Sequence, residues 1–392
     1  MKYLRVSFFL EVTLLLLIGS MLINDASASS AQLRTIFIFV YDAGETIGLL
    51  PITPLLEAEN VAVQWVPLTP WSLRILLREN QSVVKPPEDL DKMAHVKDRQ
   101  LDGEIAYWLN LATERKPDLI ILGLVSRIQE QLAEELGKHG MSTVGFYDGF
   151  DPTDRNSIIW RVSKQVREIW VPSRAIKRNL NHLGLNSVKV MGQPSLESWY
   201  QTAMEIKPDS LLSRLKIPPS KKIVIFAGQY GEGYTDILEA FLKAAVSELN
   251  GREELYLVLS PHPKTTGEAE QDAMKKHGHP RISILPKEMS TAEVAAICAA
   301  MITWRSTVGV QATFMGKPVI YFNFNLNDYR NDLIDEGIAQ AATPKTFSVA
   351  LQLALTQQSD ASVNRNRLAK LGYIIDADQK IAFEIIKHVH KH

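Results

Sequence analysis

The amino-acid sequence predicts an α/β protein of two domains, each a doubly wound parallel sheet, with both sheets facing one cleft. Three observations carry that expectation. From Thr35 onward, short β-branched and aromatic runs alternate with helix-length segments, the pattern of repeated βα units. The alternation breaks at a linker containing "KIPPSKK" and then restarts, giving two such blocks. The strand-like runs are continuously apolar, as strands are when helices cover both faces of a sheet.

In the first block "TIFIFVYD" reads as a buried strand, followed by a turn and helix in "AGETIGLLPITPLLEAEN", irregular at Pro51 and Pro54. "VAVQWVPL" is the next strand, and "RENQSVVKPPEDLDKMAHVKDRQ" a long exposed connection. The helix "EIAYWLNLATERK" ends at Pro117-Asp118, "DLIILGL" is a strand, "SRIQEQLAEELGKHG" an amphipathic helix and "STVGFYD" a strand. "VREIWVPS", a helix stopped by Gly184, and "SVKVMGQP" complete the block. A helical stretch from Leu196 leads to the linker. The second block runs through the strands "KIVIFAGQ", "ELYLVLS", "RISILP", "MITWR" and "KPVIYF" with helices between, and helices close the chain from Thr346. The domain boundaries read as residues 32–195 and 196–392.

Composition narrows the function. With 392 residues, 46% hydrophobic and 22% charged, the chain is globular and long enough for two cores. Its net charge of −1 supplies no basic field for nucleic acid. A single cysteine, Cys298, excludes an intrachain disulfide and a cysteine-rich zinc site, and its apolar surroundings make it a core residue. Residues 1–31 stand apart: Lys2 and Arg5 precede an apolar run, and Ala26-Ser27-Ala28 has the form of a signal-peptidase site. Glu11 interrupts the run. A cleaved export signal, a retained anchor using residues 3–23 and a later start at Met21 all stay open, so the chain is expected at the inner face of a membrane or exported.

Ligands of doubly wound sheets bind beyond the carboxyl ends of the strands, so those ends were read for chemistry. In "LSPHPKTT", His262 is fixed between Pro261 and Pro263 with Lys264 beside it, a pairing suited to a phosphate oxygen. After "MITWR", Arg305, Ser306 and Thr307 open a helix whose N–H groups and hydroxyls favour an anion; Gly309 permits close approach and Gln311 follows one turn later. "FAGQYGEGYTD" is a glycine-rich loop in which Gly228 and Gln229 border the cleft; it is neither G-x-G-x-x-G nor a Walker motif. On the other domain, Asp42 and Glu45 follow the first strand, and Asp148 and Asp151 follow "STVGFY". Any one of these four carboxylates has the chemistry of a base for an acceptor hydroxyl. The same acids also suit turns and helix caps. "EDLDKM" places Asp89 and Asp91 at D-x-D spacing, but in the exposed connection, so no metal site is assigned.

Together "IWVPSRAIKRNLNHLGLNSVKVMGQP", the His-Pro turn and "STVGVQATFMGKPVIYF" resemble the GT-B glycosyltransferase superfamily, which includes the UDP-N-acetylglucosamine 2-epimerases. The resemblance covers Thr35 to the C-terminus and implies two Rossmann-like domains hinged near "MGQP". It implies a nucleotide sugar of UDP or CMP type held by His262-Pro263 and Ser306-Thr307, with no cofactor or metal. The acceptor is then a glycan or a lipid-linked sugar of a surface polysaccharide. Two departures are visible. Gly228-Gln229 stand where the epimerases carry His-Arg, and Ser306-Thr307-Val308 where they carry Ser-Gly-Gly. Gln311 occupies a position that is usually Glu in the related capsule enzymes. The alternatives are an inactive chain of this fold and an exported two-lobed binding protein. The resemblance yields one sharp geometric expectation: the His262 ring and the Ser306 and Thr307 hydroxyls converge on one phosphate-sized space.

Overall fold

A computed structural model describes residues 34–87, 101–327, 329, 331–357 and 360–390. The N-terminal segment 1–31 and the Asp89/Asp91 pair lie outside the described residues. The first sheet contains β1 (Arg34–Val40), β2 (Val61–Pro67), β3 (Leu119–Gly123), β4 (Thr143–Phe146), β5 (Glu168–Val171) and β6 (Val188–Val190). Its order is β2-β1-β3-β4-β5-β6, and every pairing is parallel. The second sheet contains β7 (Lys222–Ala227), β8 (Leu255–Ser260), β9 (Ile282–Ile284), β10 (Ala300–Thr303), β11 (Val319–Phe322) and β12 (Gln340–Ala342). Its order is β12-β11-β10-β7-β8-β9, again parallel throughout. Two Rossmann-like domains are therefore present, as the βα alternation predicts. The order reverses beside β1 in one sheet and beside β7 in the other, and the loops leaving those two strands begin with Tyr41-Asp42 and Gly228-Gln229.

Helices α1 (Ala43–Leu49), α2 (Thr53–Glu57), α3 (Pro70–Arg78), α4 (Leu101–Arg115), α5 (Arg127–Lys138), α6 (Ile158–Ser163) and α7 (Arg174–His182) belong to the first domain. A 3-10 turn at Leu50–Ile52 accommodates Pro51. Helix starts follow their caps. Thr69, Ser126 and Ser290 each accept a hydrogen bond from the third residue of the following helix, and that residue's side chain reaches back. The strands are continuous apolar runs because they are covered on both faces: Ile36 through Val40 are all at most 2% exposed. Odd and even members of β1 enter two separate cores, Phe37 and Phe39 one, Ile36, Ile38 and Val40 the other.

The remaining helices are α8 (Ser195–Glu205), α9 (Pro208–Leu215), α10 (Tyr234–Gly251), α11 (Glu268–His277), α12 (Thr291–Ile297), α13 (Val308–Phe314), α14 (Asp332–Asp335), α15 (Phe347–Thr356), α16 (Ala361–Leu371) and α17 (Ala377–Val389). The last of these returns to the first domain. Ile381, Ala382, Ile385 and Val389 pack among Ile36, Ile38 and Trp65, Lys189 bonds Glu384 at 2.8 Å, and Lys380 donates to the Val190 carbonyl at 2.7 Å. Sequence position placed this helix with residues 196–392; its apolar stripe is what takes it across. Phe150, from the first domain, is buried in the second domain's core and stacks on Tyr373 with ring centroids 5.4 Å apart.

Four elements differ from the sequence reading, among them α3 and α14, which lie in stretches that it assigns to no element. β12 is a three-residue edge strand, "QAA", with no β-branched signal of its own; pairing to β11 makes it a strand. α6 is a six-residue helix capped by Ser157, in a stretch left unassigned between strands. Among the described residues, no helix is long and apolar enough to cross a membrane.

The hinge rests on Gly192, at φ +92°, where an added Cβ would lie 2.5 Å from Cβ of Ala377. Gly192→Ala is expected to cost about 1–3 kcal/mol through left-handed strain and the clash with α17. Thermal melts check this; an unchanged midpoint would contradict the packing described for α17.

Candidate functional site

The carboxyl ends of both sheets meet across the cleft, and an ion pair joins them. Lys264 Nζ, on the loop between β8 and α11, donates to Oδ2 of Asp42, at the end of β1. Both side chains are largely buried, at 13% and 23% exposure. Burial works against the Lys264 charge, but the Asp42 carboxylate and the Tyr230 hydroxyl outweigh it and hold the ammonium above the ordinary lysine range.

Asp42 serves as a cap and as a cleft residue with different atoms. Its Oδ1 accepts from Gly44 N at 3.1 Å and starts α1, while Oδ2 meets Lys264. Glu45 completes the capping box, its Oε2 accepting from Asp42 N at 3.3 Å, from Tyr41 N at 2.9 Å and from Gln129 Nε2 at 2.9 Å. The other oxygen, Oε1, is buried with no partner. Burial first, and then the charge of Asp148, push the Glu45 carboxyl up to about 8. At neutral pH it therefore carries a proton, and Oε1 is the oxygen with room for it. Asp148 is 9% exposed. Burial, reinforced by the Asp42 charge, lifts it to about 7, with Lys264 pulling the other way. Two buried carboxyls thus lie close together, both raised above the ordinary carboxylate range by burial.

Glycines make this cluster possible. A Cβ on Gly123 would lie 1.9 Å from the Glu45 carboxyl, and one on Gly44 would lie 2.1 Å from Asp148 Oδ2. Gln193, in the hinge, donates to the Asp148 carbonyl at 3.1 Å. Asp151 turns elsewhere: it accepts from Tyr329 Oη at 2.7 Å and is raised by burial.

On the second domain, His262 Nδ1 accepts from Lys264 N at 3.1 Å, so a neutral ring carries its proton on Nε2. Burial and the adjacent Lys264 press its pKa down to about 4. The neutral ring, donating from Nε2, is the form these surroundings favour. The Tyr230 ring lies 4.5 Å from the His262 ring, and its hydroxyl accepts from Lys264 Nζ at 2.9 Å. Gln229 does not point into the cleft alone; its amide donates to the Arg305 carbonyl at 2.8 Å and ties the β7 and β10 loops together. Gly228 is required by packing, because a Cβ there would be 2.7 Å from both Glu270 Oε1 and Tyr234 Oη.

The turn after β10 is present, and its helix starts later than expected. α13 begins at Val308, and Ser306 Oγ accepts from Val308 N at 3.3 Å; Thr307 makes no side-chain cap bond. The Arg305 guanidinium lies 5.1 Å from the centre of the Trp304 ring. Gly309 makes room for a neighbour, the Tyr321 hydroxyl, which would be 2.3 Å from its Cβ. Gln311 is 6% exposed, and its amide donates to Ser195 Oγ at 2.8 Å, on the hinge helix α8. Strand order also alters the expected convergence. β7 lies between β8 and β10, so His262 and Ser306 leave strands two spacings apart, about 9–10 Å. The Gly228–Gln229 loop stands between them.

Sequence reasoning passed over Gln129, Gly123 and Gln193, which orient the acids, and Tyr230, which holds Lys264. Tyr230 alone carried a signal: it is an aromatic residue inside the glycine-rich loop.

Solved structures match the fold over most of the chain. The chain has the GT-B fold. It is similar to the UDP-N-acetylglucosamine 2-epimerase from Neisseria meningitidis bound to UDP-GlcNAc, at 12% identity and TM-score 0.69, over 92% of this chain and 100% of that one. An S. aureus protein solved with UDP gives 15% identity and TM-score 0.68, over 91% and 97%. A glycosyltransferase from Rickettsia africae gives 11% identity and TM-score 0.62, over 92% and 100%. Residues 193–329 match the family model described as capsule polysaccharide biosynthesis protein. That GT-B segment contains the β7 loop, His262, Lys264 and the turn before α13. No curated protein matches the chain.

Two stability predictions follow from the acid cluster. Gly123→Ala should lower stability by about 1–3 kcal/mol, because the Glu45 carboxyl cannot move away without losing its three N–H donors. Glu45 ionises near 4.5 when unfolded and near 8 when folded, so the native state holds the extra proton between those values. Its contribution is full below about 4.5 and is lost as pH rises through about 8. Glu45→Gln, an isostere of the protonated form, should therefore gain midpoint relative to wild type as pH rises across that window. A difference that stays flat with pH would contradict a neutral Glu45.

Proposed function

We propose that the chain is a GT-B glycosyltransferase-like enzyme of surface-polysaccharide synthesis, moving a sugar from a UDP- or CMP-type donor to a glycan or lipid-linked acceptor. The observation that carries this reading is the contact of Lys264 with Asp42, which sets a candidate phosphate-binding cation directly against an acid–base cluster. The second domain holds the donor. Lys264 and the Nε2–H of His262 meet the phosphates, the β7 loop at Gly228-Gln229 forms the floor, and Arg305, Ser306 and Thr307 extend the site to the far side. Gly309 and Gln311 support that turn from behind and set its angle to the hinge.

The first domain supplies the base. Asp148 takes the proton of the acceptor hydroxyl as that oxygen bonds to the anomeric carbon and the sugar–phosphate bond breaks. Negative charge passes to the leaving nucleotide, where Lys264 and His262 receive it without a metal ion. Glu45 remains protonated and limits the charge around Asp148. Asp42 holds Lys264 until a phosphate replaces it. Residues 3–23, if retained, place the enzyme at the inner face of a membrane, close to a lipid-linked acceptor.

A thermal-shift series with UDP, CMP, CDP and GDP tests the reading. At least one should raise the midpoint, and Lys264→Ala should weaken that nucleotide by roughly 10- to 100-fold. His262→Ala should also weaken it. No shift from any nucleotide would sink the proposal and favour the two-lobed binding-protein alternative, as would a mature N-terminus at Ser29. Once a turnover assay exists, Asp148→Asn should lower kcat roughly 10²–10⁴-fold. In wild type, kcat/KM should fall as pH drops below about 7 and Asp148 gains its proton. A profile flat through that region would remove Asp148 as the base.

A further inference from the structure

Tyr230 has no evident reason of stability to be where it is. Its side chain is 45% exposed, and it sits in a loop whose Gly231 and Gly233 adopt φ of +93° and +79°. An exposed tyrosine on such a loop loses conformational freedom for little apolar burial. What fixes it is polar: the Lys264 ammonium donates to its hydroxyl at 2.9 Å and lies 4.8 Å from the ring centre, and the His262 ring lies 4.5 Å away. The phenolic oxygen spends a lone pair on Lys264 and keeps its own O–H to donate. Lys264 has three N–H groups, two of which serve Asp42 and Tyr230. Gln229 gives one amide N–H to the Arg305 carbonyl, and Tyr230 is the side chain of this loop that contacts Lys264.

We propose that Tyr230 is a ligand-contacting residue whose hydroxyl and the Lys264 ammonium form a two-donor clamp on one phosphate group of a nucleotide. The inference rests on the nucleotide-sugar reading above and adds a specific contact to it. An anionic oxygen that takes Lys264 from Asp42 arrives within reach of the Tyr230 O–H. The two donors then act on the same phosphate, so their contributions are coupled and depend on the phosphate, not on the base or ribose. Tyr230 becomes the residue by which the glycine-rich loop senses that the donor's phosphate is in place.

The test is calorimetric titration of the intact chain with whichever of UDP, CMP, CDP or GDP binds wild type most tightly, alongside its parent nucleoside. Tyr230→Phe, at a half-exposed position, should leave the melting midpoint unchanged and weaken the nucleotide about tenfold. It should leave nucleoside binding unaltered. In a Lys264→Ala background the same change should have little further effect, because the clamp is already broken. Equal nucleotide affinity for Tyr230→Phe and wild type, with Lys264→Ala still weakening it, overturns the clamp alone. Equal losses for nucleotide and nucleoside also overturn it, since the contact would then be with the ring system. If wild type binds none of the four nucleotides, the donor-site reading falls and the clamp falls with it.

Discussion

Everything at the cleft depends on the ion pair between Lys264 and Asp42. It is mostly buried, it links loops 222 residues apart in sequence, and each partner has a second engagement. Lys264 also holds Tyr230, and Asp42 also caps α1. Removing either partner would leave a largely buried charge, which costs more than the pair contributes. The pair thus fixes the approach of the domains without a ligand, and it marks where a stronger anion can enter. In the proposed function a phosphate competes with Asp42 for the same ammonium, so that donor binding and release of the Asp42 carboxylate are two sides of one exchange.

Behind that pair the acids form a graded series. Asp42 is paired with Lys264, while burial lifts Asp148 to about 7 and Glu45 to about 8. The gradient is produced by burial, and burial is made possible by absent side chains. Gly44 and Gly123 leave the volume that the Asp148 and Glu45 carboxyls fill. The Gln129 amide and two backbone N–H groups all converge on one oxygen of Glu45, leaving the other to hold the proton. A capping box worth about 1 kcal/mol to a helix thus also holds a buried carboxyl whose ionisation is pushed up.

Much of this was legible in the sequence. Eleven strands could be read from their β-branched, aliphatic and aromatic runs, most plainly β1, where "IFIFV" is continuous and buried on both faces. β12 could not, since Gln340–Ala342 becomes a strand only by pairing with β11. The Rossmann-like repetition and the cleft followed from βα alternation. The return of α17 to the first domain did not, because an amphipathic stripe does not say which core it fits. At the site, strand-end logic found Asp42, Glu45, Asp148, His262 and Lys264, which contact or charge one another in the structure. It could not see that Gln311 would be taken by Ser195, or that β7 would stand between His262 and Ser306. Those are consequences of strand order and of hinge packing, which no local motif encodes. The pairing of Lys264 with Asp42 was equally hidden, since each residue alone reads as an ordinary turn charge.

In the proposed function, Lys264 is exchanged between Asp42 and a nucleotide phosphate. A crystal structure of the chain soaked with UDP tests it most directly. The expected result is a phosphate oxygen within hydrogen-bond reach of Lys264 Nζ, with the Asp42 carboxylate displaced from it. A bound nucleotide whose phosphates lie elsewhere, with Lys264 still on Asp42, would contradict the account.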